Sequence, residues 1–169
     1  MISFDIIKTA IRTGILAAGS NTQVIYYFPN AVRPALNYTA IEFLTWGRIV
    51  NDWFETDETT GAQKQFGFRE LIVRLHFFGP NSYGESQTVI GKLESLTVRD
   101  AMRAITSISL LESGGVDLTS MLIENSYETR AIVDLTFLVN IQDGTSQDNL
   151  GYFDQVEPIE WTNKPTGAV

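Results

Sequence analysis

Catalysis needs groups that exchange protons or form transient bonds, and this chain of 169 residues offers few of them. His76 is its single histidine. It lies in the alternating run RELIVRLHFF on the side shared by Arg74 and Phe78, and reads as a partly exposed strand residue, because no Ser, Asp and His arrangement follows from the spacing. Glu42 or Asp52 could in principle serve a carboxylate-dependent hydrolase, but nothing in the sequence pairs two carboxylates. The absence of cysteine excludes disulfides, thiolate nucleophiles and Cys-based metal sites. Asp52, Glu55, Asp57 and Glu58 form an acidic run without the spacing or the terminal bidentate Glu of a calcium loop, so a solvated loop is expected. The glycines at 14 and 19 and at 114 and 115 do not lead into a helix as a phosphate-binding loop requires. Asn37, Tyr38 and Thr39 match a glycosylation pattern, a chance match where no secretory leader precedes it. The chain therefore reads as a non-enzyme, with no cofactor and no metal.

Charge points the same way. The formal net charge is −8, and no Lys or Arg falls between Arg130 and Lys164, whereas Asp134, Asp143, Asp148, Asp154, Glu157 and Glu160 do. Such a block cannot neutralise phosphates, so tight electrostatic binding of nucleic acid by this region is disfavoured. Asp5, Lys8 and Arg12 interrupt the apolar positions of the first helix, unlike a secretory leader, and no run approaches the roughly 20 apolar residues that span a bilayer. Synthesis and folding in a cytoplasm, without a membrane partner, are the expectation.

The elements follow from periodicity. Residues 3–18 predict a helix, with Ser3 as N-cap, Phe4, Ile7, Ile11 and Ile15 as its stripe, and Gly19 as its stop. Residues 24–28 predict a short strand. Residues 38–54 predict one long strand, or a strand with a bulge near Gly47. A turn over 57–65 precedes a strand at 69–78. A helix with Ser82 as its cap and Val89, Ile90 and Leu93 as its stripe follows, then a shorter helix opened by a Thr97 and Asp100 capping box. Residues 107–113 suit a strand, and 114–125 a turn with one helical turn. Residues 128–141 alternate strictly, with Ala131, Val133, Leu135, Phe137, Val139 and Ile141 toward a core. A loop over 142–151, a last strand at 151–157 and a C-terminal tail complete the reading. The fold class is α+β, a single domain over residues 1–158 with a mixed or antiparallel β-sheet packed against the N-terminal helix and one or two further helices. Residues 159–169 form the tail.

With no reactive centre, attention moves to contact residues. Tryptophan is enriched at protein interfaces, and of Trp46, Trp53, Phe54 and Trp161 three fall near a predicted strand end or in the tail, although aromatic residues also build cores.

The order of parts resembles the phage neck terminator proteins, also called tail terminator or tail completion proteins. The resemblance is carried by Arg33 and Pro34 with Tyr38, by the helix start at Arg99, Asp100 and Ala101, and by Asp117 and Leu118. Glu128, Arg130, Ala131, Asp134 and Leu135 continue it, and Gly151 and Tyr152 ahead of Val156 close it. The 142–150 loop and the tail after Pro158 depart from the pattern. The resemblance implies a ring subunit, typically of a homo-hexamer, that caps the tail tube and ends its polymerisation. It also implies a second face for the head connector, adaptor or stopper protein, with the sheath protein a further partner and the virion neck as the location. Trp46, Arg48, Trp53, Phe54, Arg130 and Trp161 are then the candidate subunit or partner contacts. Asp134, Asp143, Asp148 and Asp154 are either channel-facing acids that keep DNA passing without specific binding or an ordinary solvated surface. The alternative within the same setting is a stopper or a tail tube protein.

Overall fold

The computed structural model describes residues 4–19, 23–27, 34, 37–123 and 126–144. The expected cap at Ser3, the strand at 151–157 and the tail lie outside them.

Helix α1, Phe4–Ala17, buries Ile7, Ala10, Ile11 and Ile15, the stripe its spacing predicts. It stops at Gly19, whose φ of 85° is left-handed and costs a residue without a Cβ little. Strand β1, Gln23–Tyr26, runs parallel to β2, Tyr38–Arg48. Strands β3, Trp53–Thr56, and β4, Gln63–Phe78, follow, then helices α2, Ser82–Leu93, and α3, Leu96–Arg103. Strands β5, Ile108–Ser113, β6, Asp117–Ile123, and β7, Ser126–Gly144, complete the described chain.

The seven strands form one sheet in the order β1-β2-β4-β7-β5, with β3 also on β4 and β6 also on β7. Every pairing except β1 with β2 is antiparallel, so the sheet is mixed. The three helices cover one face of it. Leu71, Val73, Leu75 and Phe77 of β4 and Ala131, Val133, Leu135, Phe137 and Val139 of β7 meet Ile11 and Ile15 of α1, Val89 and Leu93 of α2, and Val98 and Met102 of α3 in a single buried cluster. Helices α1 and α3 approach closely because residue 14 is glycine: a Cβ there would stand 2.6 Å from the Met102 side chain. Gly14→Val is expected to force these helices apart and lower stability by about 1–3 kcal/mol, read as a lower midpoint in urea with an unchanged slope.

Several local expectations are corrected. Residues 38–54 are not one strand but two in line, β2 and β3, separated at residues 49–52 just beyond Gly47, and β2 carries a further bulge between Phe43 and Thr45. Strand β4 begins at Gln63, so it absorbs the end of the expected turn. Ser82 is the first helical residue and Asn81 holds the cap position. Ser95, not Thr97, caps α3, and neither cap residue makes a side-chain cap bond. Residues 117–123 form β6 in place of a helical turn, because the length of β7 gives them a hairpin partner from Ile132 to Ser126.

Candidate assembly interface

Beyond the helices, β4 and β7 continue paired as far as Lys64 opposite Gly144, and β2 and β3 lie end to end along the same side of β4. Arg48 pairs with Arg69 and Trp53 with Phe66, so four residues, 49–52, stand against two, 67 and 68. This is an enlarged bulge. Asp52 holds it: Arg69 donates through Nη1 and Nη2 to the two carboxylate oxygens at 2.6 and 2.8 Å, and Gln65 donates through Nε2 at 2.8 Å. The Asp52 side chain is 6% exposed, and Arg48 adds a longer contact at 3.4 Å. These hydrogen bonds from Arg69 and Gln65, with the nearby guanidinium charges, lower the Asp52 pKa to about 2. Gly67 makes the arrangement possible, since a Cβ there would fall on the Asp52 carboxylate.

With Asp52 turned inward, its neighbours turn out. Ile49 and Val50 are 47% and 48% exposed, and Phe54 is 57% exposed. Trp53 stacks on Phe66 with ring centroids 5.7 Å apart, while Trp46 packs its edge against Phe4 at 6.0 Å; both tryptophans keep more than a third of their surface exposed. The result is an arm whose tip presents β-branched and aromatic side chains on a pinned backbone. Patches of this kind mark contact surfaces more than isolated exposed leucines do.

The sheet face opposite the helices carries a polar network. Arg74 donates through Nε and Nη2 to Asp134 at 2.7 and 2.8 Å, and Glu42, Arg74 and Asp134 share one rung across β2, β4 and β7. His76 corrects its expectation, being 2% exposed. Tyr27 covers its ring at 5.0 Å, Glu42 Oε2 lies 2.7 Å from Nε2, and the Arg130 guanidinium contacts the imidazole and stacks 5.1 Å over Phe78. Burial and the neighbouring Arg130 charge push His76 down to about 4. At neutral pH the imidazole is uncharged, donates from Nε2 to Glu42 and offers Nδ1 to Arg130. Its polar atoms are thus engaged in holding three strands together.

Of the residues singled out from sequence, Arg48, Trp53 and Phe54 lie on the arm, Trp46 packs at its base against Phe4 of α1, and Arg130 sits apart on the helix-free face. Asp134 is on that face too, its acidity raised by the Arg74 hydrogen bonds. Asp143 holds the register position opposite Gln65, and Asp148, Asp154 and Trp161 lie outside the described residues. Sequence reasoning missed Ile49, Val50 and the Asp52–Arg69 clasp. The available signals were the Asn51-Asp52 pair, which favours a turn, and the lone Gly67 within a strand. Among the described residues no group of three His, Cys, Asp or Glu could hold a metal ion, and no helix is long and apolar enough to cross a membrane.

A family model described as phage neck terminator protein matches residues 2–167. Among solved structures, the sheath/tube terminator of an extracellular contractile injection system (PVC) in its extended state aligns over 100% of this chain with 10% identity and a TM-score of 0.46. The chain spans 65% of that protein's length. No curated protein matches.

Proposed function

Because the chain belongs to the phage neck terminator family, we propose that it is a structural subunit of a tailed phage that closes into a ring on the tail tube and ends tube growth. Within this reading the ring is a homo-hexamer in the virion neck, made in the host cytoplasm. Its far face meets the head connector, adaptor or stopper, and the sheath protein is a further neighbour. No bond is made or broken, so the function rests on which surfaces the subunit offers and which it withholds.

The observation that carries the reading is the arm. Ile49, Val50, Trp53 and Phe54 are presented from a bulge whose backbone is held by the Asp52 ion pair, so the patch is preorganised and loses little conformational entropy on docking. We assign the arm tip to the tube end. Arg48 flanks it, while Arg130, engaged with His76, acts on the contact only by supporting the sheet. In the same reading Trp161 is a contact made by the tail, and Asp134, Asp143, Asp148 and Asp154 are channel acids; Arg74 offsets the Asp134 charge locally, so repulsion of DNA falls mainly to the other three.

The test is tail length in particles assembled without this chain. Overlong tails that fail to join heads are expected. Absent tails would instead identify a tube subunit, and normal tails on unfilled or leaking heads a stopper.

A further inference from the structure

One stretch of β7 is left over by the pairings. On one side β4 accompanies it as far as Gly144, and on the other β6 covers Ser126 to Ile132 and β5 covers Leu135 to Val139. Asn140 still donates its N–H to the Ser107 carbonyl at 2.9 Å, but among the described residues no strand lies on the outer side of residues 141–144. Backbone groups alternate in direction along a strand, so the amides of Gln142 and Gly144 point outward like that of Asn140, while those of Ile141 and Asp143 point to β4. The Asn140 side chain repeats the signal: its Oδ1 is buried with no hydrogen-bond donor among the described residues, at the point where β5 gives out.

The chain itself continues from this open edge. Residues 145–169 lie outside the described residues and set out from Gly144, the last position of the unpaired stretch. Residues 145–150 carry Thr, Ser, Asn and Asp between Gly144 and Gly151, the composition of a reversing loop, and Tyr152 and Phe153 follow as residues suited to a strand. A loop this short brings its own strand back at little entropic cost. The family match runs to residue 167, so the segment belongs to the matched domain. β4 already shows the same construction, with β2 and β3 lying end to end along one side of it.

We propose that residues 151–154 return antiparallel along the outer side of β7, opposite residues 141–144 and end to end with β5. In this register Phe153 extends the rung of Trp53, Phe66 and Gln142, and Tyr152 that of Phe54, Gln65 and Asp143. The arm is then four strands wide, built within one copy before any tail is met. The return also closes an edge that would otherwise accept a foreign strand.

Amide hydrogen exchange in the full chain, resolved by residue with NMR, tests this. The outward amides of Gln142 and Gly144 are expected to exchange at least about a hundredfold more slowly than unpaired amides, at a rate independent of protein concentration. Phe153→Pro removes a donor from the returning strand and is expected to restore fast exchange at Gln142, while Ile141 and Asp143, bonded to β4, stay protected and show that the arm is intact. Fast exchange at Gln142 and Gly144 in the parent would overturn the proposal, as would protection that survives Phe153→Pro. Protection that grows with protein concentration would overturn it too, since it marks a second copy on the edge. Each of these outcomes leaves the terminator reading standing, because tail length tests that separately.

Discussion

Replacing Val50 and Phe54 together by aspartate is expected to leave the chain folded and to remove its hold on tails. Both side chains are about half exposed on the arm tip, where substitutions move stability by roughly 0.5 kcal/mol or less. In an interface the same positions would place two carboxylates where apolar contacts had been. A loss of about 2 kcal/mol at each, the usual threshold for dominant contact residues, amounts to roughly a thousandfold weaker binding. Co-sedimentation with purified tails measures it, alongside a circular dichroism melt to verify the fold. Binding within threefold of the parent would remove the arm from the account. Arg69→Ala provides an independent check: it frees the Asp52 bulge without altering one apolar side chain, so weakened binding there reflects lost preorganisation.

The second large effect concerns stability. Replacing His76 by alanine empties a site 2% exposed, exposes Tyr27 and Phe78 to a cavity and leaves Glu42 and Arg130 without the imidazole between them. A loss of about 2–4 kcal/mol is expected from the cavity and the orphaned hydrogen-bonding groups together. The pH dependence separates this histidine from generic core damage. Its folded pKa is depressed from 6.5 to about 4, so the unfolded chain takes up a proton that the folded chain refuses. The stabilisation is complete above the unfolded value and declines as pH falls from about 6.5 to about 4, by up to roughly 1.4 kcal/mol per pH unit. His76→Gln should abolish that slope whatever its own stability. Identical slopes in parent and variant between pH 6.5 and 4 would show that the imidazole is charged in the folded chain.

Much of the fold was legible because burial is periodic. The alternation from Ala131 to Val139 and from Leu71 to Phe77 reproduces the buried face residue by residue, as does the Ile7, Ile11 and Ile15 stripe of α1. What could not be read depended on partners distant in sequence. The break at residues 49–52 exists because Asp52 finds Arg69, 17 positions on, and an acidic run gives no hint of such a clasp. His76 looked half exposed because an isolated strand has one open face, whereas Tyr27 and Arg130, from other parts of the chain, close over it. Strand β6 was hidden for a similar reason, since its sequence is neutral and only the length of β7 supplies its partner. The exposed apolar residues were partly legible: tryptophan enrichment pointed to Trp46 and Trp53, which keep more than a third of their surface exposed, but Ile49 and Val50 in a β-rich run are indistinguishable from core until the bulge turns them outward. Family membership was readable from ordered spacing, which survives where no catalytic motif exists to be matched.

The central claim is that this chain works by position, with its arm seated on the end of a tail tube. Electron cryomicroscopy of intact necks, with the chain traced, measures that directly. The account predicts a closed ring at the head-proximal end of the tube, with Ile49, Val50, Trp53 and Phe54 buried against tube subunits. Finding the chain elsewhere in the particle, or in the neck with those four side chains facing solvent, would contradict it.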